Sequence, residues 1–129
     1  MRRARRAGLA LALAGALSCG GDATGPRAGT LEIRLATVNA PADRAILFTV
    51  AGPAAPVAAS APAGLRIFFD SLGATTTFVV TGNLPAGAIA SLEVEDVTRA
   101  AAYAATILQI ARGDYVLRSL AGYALTVTR

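Results

Sequence analysis

The sequence predicts an all-β fold, an antiparallel β-sandwich of about seven to nine short strands that follows an N-terminal signal helix. Two observations predict the sandwich. Apolar and polar residues alternate with a period of two in several segments, as they do in strands that bury one face. Turn-forming glycines, prolines and asparagines separate these segments about every 8–15 residues, a spacing typical of short antiparallel strands.

The first half of the domain holds four predicted strands. In the first of them Leu31, Ile33 and Leu35 alternate with more polar neighbours, so these three side chains should all face the core. Three prolines between residues 52 and 64 predict a long loop that contains only a short edge strand. The predicted strands cover residues 31–35, 46–50, 57–59 and 65–70, with turns at residues 39–43 and 71–74.

The second half holds five further predicted strands, one of which has an alternative. The stretch 99–112 is rich in alanine, which favours a helix with Tyr103, Ile107 and Ile110 on one face. Its segment 106–110 is also typical of a strand, and because the neighbouring segments are strands we favour a strand. The predicted strands cover residues 75–81, 89–97, 99–112, 115–118 and 123–129, and the clearest loop covers residues 82–87.

The first 19 residues have the layout of a secretory signal. Arginines at positions 2, 3, 5 and 6 precede an apolar run over residues 8–17, and the only cysteine of the chain, Cys19, follows this run. The run is too short to span a bilayer as a helix. The segment Ala16-Leu17-Ser18-Cys19 resembles the lipobox of bacterial lipoproteins, with its leucine one position closer to the cysteine than in the usual box.

The resemblance to bacterial lipoproteins implies cleavage before Cys19. It also implies that fatty acyl chains such as palmitate modify the Cys19 thiol and the new amino terminus, which gives lasting membrane anchorage. The expected domains are then a signal peptide over residues 1–18, a flexible tether over residues 19–29 and the sandwich over residues 30–129. The expected location is the cell envelope, and Gly20 favours the outer membrane, facing the periplasm or the cell surface. An ordinary signal peptide, cut near an incidental cysteine, is the alternative.

Composition narrows the functional classes. Once the signal is removed, eight arginines stand against eight acidic residues, so no positive excess supports nucleic-acid binding. The chain contains no histidine and no lysine, which excludes Ser-His and Cys-His nucleophile pairs, His-based zinc sites and Schiff-base chemistry. A single cysteine cannot form a cysteine-ligated metal site. We therefore expect a protein that is not an enzyme and that holds no metal or other cofactor.

Glu93, Glu95 and Asp96 form the only acidic cluster of the sequence. Carboxylates at a strand end can bind calcium, but a solvated strand face that ends in a turn also explains them. We favour the solvated face, because the repeated aspartate spacing of a calcium loop is missing. A hydrolase that pairs Glu93 with Asp70 or Asp96 is the least favoured alternative, since no cleft is indicated.

Two further patterns have a structural and a functional interpretation. The tripeptide Arg112-Gly113-Asp114 occurs in integrin-binding proteins, but glycine and aspartate are also what a hairpin turn needs, and we favour the turn. Aromatic side chains could line a platform for sugar rings, although tyrosines at strand ends more often serve packing. Phe68 and Phe69 are adjacent, so on a strand they face opposite sides. The platform candidates are Tyr103, Tyr115, Tyr123, Phe68 and Phe69.

The order of the segments resembles that of cohesin-like, carbohydrate-binding, immunoglobulin-like sandwiches of bacterial surfaces. The resemblance is carried by residues 46–50, 79–87 and 89–97. Together with the missing catalytic groups, it implies a non-catalytic binding or structural module, anchored to a membrane, that contacts a glycan or another envelope protein and no nucleic acid. A small-ligand carrier with a cavity between the sheets is the alternative.

Overall fold

The structure, a computed structural model, describes residues 25–129. Within that range eight strands form two four-stranded sheets in which every neighbouring pair is antiparallel, and the sheets pack against each other as a β-sandwich. The all-β prediction is therefore confirmed for this part of the chain. The predicted signal helix, Cys19 and the first part of the predicted tether lie outside the described residues.

Strands that follow each other along the chain are not usually neighbours in a sheet. The first sheet has the strand order β3-β6-β1-β8 and the second sheet has the order β4-β5-β2-β7. A 3₁₀ helix over Val97–Ala102 joins β6 to β7. The strands are β1 (Gly29–Ala36), β2 (Asp43–Ala51), β3 (Ala58–Ser60), β4 (Leu65–Leu72), β5 (Thr75–Gly82), β6 (Gly87–Val94), β7 (Ala104–Arg112) and β8 (Ala124–Thr128).

The core lies between the sheets and consists of the inward-facing residues of alternate strand positions. Leu31, Ile33 and Leu35 of β1 are all buried, as the alternation predicts. From the second sheet, Phe48 of β2 and Phe78 of β5 are fully buried, and their rings stack with centroids 5.2 Å apart. Apolar burial of this kind is the main favourable term in folding, so these residues hold the two sheets together in a chain with a single cysteine.

The stretch 99–112 divides into two elements. β7 confirms the strand prediction for residues 104–112, but residues 99–102 belong to the 3₁₀ helix, so the strand prediction is wrong there. Asp96 gives the physical reason, because its carboxylate accepts a hydrogen bond from the Thr98 N–H at 3.0 Å and caps the helix.

The end of the predicted tether is bonded to the sandwich. The Val97 N–H donates to the Arg27 carbonyl at 2.8 Å, and the Arg27 N–H donates to Asp96 Oδ1 at 3.2 Å. β1 then begins at Gly29, one residue before the predicted domain boundary. Residues 27–29 therefore belong to the folded domain, although the sequence assigns them to the tether.

Residues 115–118 do not form a regular strand, contrary to the prediction. Tyr115 has a φ of +64°, a left-handed conformation that interrupts extended backbone. The segment lies along β7 instead: the Arg112 N–H donates to the Val116 carbonyl, the Arg118 N–H donates to the Ile110 carbonyl, and a single bridge lies between them. We call residues 115–118 the covering segment, because they cover the outer edge of β7.

β4 and β5 form a hairpin with a two-residue turn, Gly73-Ala74. Leu72 pairs with Thr75, so β4 extends two residues further than the sequence predicts. Gly73 has a φ of +62°, which the first position of such a turn takes and which glycine adopts without strain. β4 has a neighbour on one side only and forms an edge of the second sheet.

Candidate functional site

The outer face of the second sheet carries a row of side chains that crosses all four strands. Phe68 of β4 pairs with Val79 of β5, Val79 pairs with Leu47 of β2, and Leu47 pairs with Gln109 of β7. Directly paired residues of neighbouring strands point to the same face of a sheet. Because Phe48, next to Leu47, points into the core, this row points outward.

A groove open to solvent lies beside this row. It has a volume of about 250 Å³. Ala45 and Ala111 pair directly across β2 and β7, and their small side chains leave space that Leu117 of the covering segment borders. We call this groove together with Phe68 the apolar face. The groove is lined by Ala45, Ile46, Leu47, Val79, Gln109, Ala111 and Leu117.

A buried polar cluster holds the covering segment in place. Arg118 Nε donates a hydrogen bond to Asp43 Oδ1 at 2.8 Å, and the Tyr123 hydroxyl donates to the other oxygen of the same carboxylate. Asn39 Nδ2 donates to the Tyr123 oxygen at 2.8 Å. Asp43 is buried, so its charge is balanced by these partners and not by water. The cluster thereby fixes the position of Leu117, which precedes Arg118.

The cluster shifts two pKa values. The hydrogen bond to the Asp43 carboxylate raises the pKa of Arg118 above its ordinary value. Burial, followed by the hydrogen bond to Asp43, raises the pKa of Tyr123 above its ordinary value of 10.0. At neutral pH the guanidinium therefore stays charged and the phenol stays neutral. The cluster supports the apolar face as a fixed structure, and neither Arg118 nor Tyr123 exchanges a proton near neutrality.

The outer face of the first sheet has a different chemistry. Thr30 of β1 pairs with Glu93 of β6, and Glu32 of β1 pairs with Ser91 of β6. Glu32 also forms an ion pair with Arg34, two residues further along the same face. A sheet that faces water on one side normally presents polar residues there. The first sheet follows this rule. The second sheet departs from it along the row of Phe68, Val79 and Leu47, although Arg66 and Asp70 lie on the same outer face.

The structure does not bring the three members of the acidic cluster together: Glu95 and Asp96 border one pocket, and Glu93 does not. Asp96 caps the 3₁₀ helix, and the hydrogen bond from the Thr98 hydroxyl is the main cause of its lowered pKa. Glu93 lies on the outer face of the first sheet, whereas Asp70 lies on β4 in the second sheet. Glu95 is exposed beyond the end of β6. Among residues 25–129 no group of three His, Cys, Asp or Glu side chains is arranged to hold a metal ion.

The tripeptide at residues 112–114 forms the turn that leads from β7 into the covering segment. Arg112 and Asp114 form an ion pair with each other at 2.7 Å, and the Tyr115 N–H donates to the Arg112 carbonyl. Asp114 Oδ1 also accepts a hydrogen bond from the Val116 N–H at 3.2 Å. These contacts agree with the predicted turn, because both charged side chains have partners within the turn itself.

The five aromatic residues considered for a sugar platform occupy separate places. Tyr103 is buried in the core, Tyr123 belongs to the polar cluster, and Tyr115 lies at the turn after β7 with 92% of its surface exposed. Phe68 and Phe69 point to opposite faces of β4, as predicted, and both are more than two-fifths exposed, at 58% and 44%. The aromatic side chains therefore do not line one surface.

Apart from Phe68, the sequence analysis did not single out the residues of the apolar face. One signal could have identified two of them, since Leu47 stands between two core residues and Val79 follows Phe78 directly. Consecutive apolar residues in a strand place apolar side chains on both faces, as in sheets that are covered on both sides. Ala45 and Ala111 carry no such signal, because alanine is common throughout the chain.

The comparisons with known proteins leave the identity of the chain open. No protein-family model matches the chain, and neither a curated protein nor a solved structure matches it. Within residues 25–129 there is also no helix whose length and hydropathy would let it cross a membrane. The resemblances to lipoproteins and to cohesin-like sandwiches therefore stay predictions, and the predicted lipidation site, Cys19, lies outside the described residues.

Proposed function

We propose that the chain is a lipid-anchored envelope protein whose sandwich is a non-catalytic binding module, and that the module binds another envelope protein through the apolar face. The difference between the two outer faces of the sandwich carries this proposal. The paired outward residues of β1 and β6 in the first sheet are threonine, serine and charged side chains. The outer face of the second sheet also carries Arg66 and Asp70, but an apolar row of Phe68, Val79 and Leu47 crosses it beside an apolar groove. Contiguous apolar surface of this kind marks interaction sites in soluble domains.

Lipid anchorage is the part of the proposal that rests on the sequence. The arginine-rich start, the apolar run over residues 8–17 and the lone Cys19 are its support. Intact mass spectrometry of the membrane fraction should give a chain that begins at Cys19 and carries acyl groups. A mature chain with another first residue, or a Cys19→Ala variant that stays in the membrane fraction, would contradict the anchor.

A protein partner suits the site better than a glycan. Sugar binding uses exposed aromatic faces together with convergent polar groups. Among the described residues, the apolar face contains one aromatic side chain, Phe68. The groove within it is lined by one polar side chain, Gln109. A groove lined by aliphatic side chains matches the apolar centre of a protein interface.

The carrier alternative finds little support between the sheets. The space there is occupied by large side chains that are fully buried, from both sheets and from the loop between β5 and β6. Examples are Leu31 and Ile33 from the first sheet, Phe48 and Phe78 from the second, and Leu84 from the loop. Interiors packed in this way leave few voids larger than a water molecule.

The non-catalytic part of the proposal rests on composition and on the positions of the carboxylates. The chain has no histidine or lysine, Asp96 is engaged as a helix cap, and Glu93 and Asp70 lie on different sheets. General acid–base work by carboxylates needs a facing pair in a cleft. A reducing-sugar release assay on envelope glycans should therefore show no activity, and release that disappears in a Glu93→Gln variant would overturn this part.

The binding surface is tested with matched charge insertions on the two sheets. Leu47→Glu and Leu117→Glu place a carboxylate in the apolar face, and Thr126→Glu places one on the exposed face of the first sheet. Envelope proteins in detergent are passed over each immobilised full-length variant, and retained proteins are identified by mass spectrometry. We expect a protein that the parent and the Thr126 variant retain and that both leucine variants lose.

Two outcomes would contradict this assignment. Retention that is equal for the parent and all three variants would show that the apolar face is not the binding surface. Binding to a glycan array that both leucine variants lose would identify a sugar as the ligand instead. Far-UV circular dichroism of each variant confirms that the fold is kept.

A further inference from the structure

Within the described residues β4 presents a long sheet edge that is uncovered beyond its first residue, Leu65, whose N–H donates to the Pro62 carbonyl. It is eight residues long, it contains no proline and no lysine, and it has β5 on one side only. The opposite edge of the same sheet, β7, is covered by the covering segment. In the first sheet the edge strands β3 and β8 have only three and five residues. Long uncovered edges are sites where another strand adds to a sheet.

The side chains of β4 add apolar surface on both sides of this edge. Phe68 points outward, and Phe69 points inward against Phe78, with ring centroids 5.6 Å apart. Both phenylalanines remain well exposed although they lie at the middle of the strand, and Leu72 near its end is 88% exposed. Natural edge strands are usually protected by proline, short length, inward-pointing charges or lysines. β4 has none of these, because its two charged residues, Arg66 and Asp70, point outward, so the exposure of its phenylalanines indicates a missing neighbour.

We propose that a second copy of this chain supplies the neighbour, and that two β4 strands pair antiparallel about a two-fold axis with Phe68 opposite Phe68 of the second copy. Charge complementarity points to a second copy and not to an unrelated strand. In this register Arg66 of each copy stands opposite Asp70 of the other, because each lies two residues from Phe68 on the same face. Both side chains are exposed, and within residues 25–129 neither forms an ion pair.

The backbone of β4 fits the same register. In a two-residue hairpin the residues that flank the turn, here Leu72 and Thr75, exchange hydrogen bonds, and hydrogen-bonded pairs then alternate along the strands. The amide and carbonyl groups of Ile67 and Phe69 therefore point to the uncovered edge. With Phe68 opposite its own copy, Ile67 stands opposite Phe69 of the second copy, and these two residues form hydrogen-bonded pairs.

The same pairing would also bury the inward-facing side chains of β4. Phe69 and Ile67 both point between the sheets, and Phe69 is exposed only because β4 is the last strand on that side. A second β4 would place Ile67 of one copy directly against Phe69 of the other. The two second sheets would then form one continuous eight-stranded sheet, with two copies of the order found here. The interface is isologous, as two-fold pairing requires.

Charge reversal tests the pairing. Arg66→Asp and Asp70→Arg each set like charges opposite each other at two symmetric places of the interface, whereas the double variant Arg66→Asp/Asp70→Arg restores opposite charges. The full-length protein is studied in detergent by sedimentation velocity over a range of concentrations. We expect each single variant to raise the dimer dissociation constant about tenfold or more, and the double variant to return it to near the parent value.

The design separates the proposal from simple misfolding. Both positions are exposed, so all variants should keep the parent circular dichroism spectrum. Arg34→Asp, an exposed reversal on the first sheet, serves as the control and should leave the dissociation constant unchanged. A parent protein that is monomeric at all concentrations, or single reversals that dimerise like the parent, would overturn the proposal.

A cysteine placed on β4 tests the register of the proposed β4 pairing directly. At position 68 the two copies would face each other as a non-hydrogen-bonded pair, with Cα atoms about 4.5 Å apart, which a disulfide can bridge. At position 66 the two copies would lie about 13 Å apart, since four residues separate Arg66 from Asp70 along the strand. We expect Phe68→Cys to form a disulfide-linked dimer under oxidation and Arg66→Cys not to do so.

The parent chain also contains Cys19, so it is the control for disulfide cross-links that form through that residue. Equal cross-linking of the two β4 variants, or none of either above the parent, would overturn the register. The apolar-face variants Leu47→Glu and Leu117→Glu lie on β2 and the covering segment, away from this edge, so they should dimerise like the parent. Failure of partner binding and failure of dimer formation can thus be told apart.

Discussion

Replacing Phe78 by alanine should destabilise the sandwich far more than the same replacement of Phe69, its direct partner in the hairpin. The register pairs Phe78 with Phe69 on one side and with Phe48 on the other. The Phe78 ring lies 5.2 Å from that of Phe48 and 5.6 Å from that of Phe69, centroid to centroid, and it is fully buried. Because both variants remove the same side chain, their comparison isolates the effect of position.

The magnitudes follow from the burial of the two rings. Phe78→Ala removes a fully buried ring from a closed site, which costs about 3–5 kcal/mol of unfolding free energy, and its two aromatic contacts favour the upper end. Phe69 is 44% exposed, so Phe69→Ala loses about half of the burial term and leaves a space that water can enter. We expect about 1–2 kcal/mol there, and hence a difference of about 3 kcal/mol between the two variants.

Urea unfolding of a fragment over residues 25–129, followed by far-UV circular dichroism at low micromolar concentration, gives both values. Low concentration favours the monomer, in which Phe69 is not buried by a second copy. Phe78→Leu keeps part of the side chain and provides a measurable value when the alanine variant is unfolded without urea. Costs that agree within about 0.5 kcal/mol for the two alanine variants would refute the register of β4, β5 and β2.

Three further predictions concern buried and titrating groups. Ile33→Asp should cost more than about 3 kcal/mol, because it places an unpaired polar group in the core, and a variant as stable as the parent in urea would contradict this position. Tyr123 has a raised pKa, so its contribution to stability is present up to pH 10 and is lost as the pH rises through the folded-state value. In Tyr123→Phe the melting temperature should therefore fall less steeply with pH in the alkaline range. An unchanged slope would contradict the polar cluster. Asp96 has a lowered pKa, so its contribution to stability is present above pH 3.8 and is lost as the pH falls through the folded-state value. In Asp96→Asn the free energy of unfolding in urea should therefore depend less on pH in the acid range. The same pH dependence in both proteins would contradict the helix cap.

The strand pattern and much of the core could be predicted from the sequence because side-chain alternation is a local property. Leu31, Ile33 and Leu35 must share a face of any strand that contains them, whatever that strand pairs with. The structure confirms their burial. The same rule correctly sets Phe68 and Phe69 on opposite faces of β4.

Features that depend on distant partners could not be read in the same way. The Asp43 carboxylate accepts hydrogen bonds from Arg118 and Tyr123, which lie 75 and 80 residues further along the chain. Nothing near Asp43 in the sequence indicates these partners. The apolar face has the same origin, since Phe68, Val79 and Leu47 come together only once the strand order of the second sheet is known.

Local backbone geometry explains the two wrong element predictions. The residues 115–118 have the composition of a strand, but the turn formed by the Arg112–Asp114 ion pair leads into a left-handed residue at Tyr115. The residues 99–102 belong to a 3₁₀ helix that Asp96 caps at its N-terminus. One capping residue before a run of alanines is a weak sequence signal for so short a helix. In both places a few local side-chain contacts accompany the observed conformation, and the sequence pattern does not show them.

The two proposals combine into one expectation about binding strength. In the dimer the two Phe68 side chains are neighbours on the outer surface, so the two apolar faces form one continuous surface with two equivalent grooves. A partner that presents two suitable segments could then occupy both grooves at once, and its second contact would be intramolecular. Arg66→Asp, which is expected to weaken the dimer, should therefore leave the affinity for a single segment unchanged while it lowers the affinity for a two-segment partner. Binding curves with monovalent and bivalent forms of the identified partner measure this difference, and an equal loss for both forms would show that Arg66 contacts the partner itself.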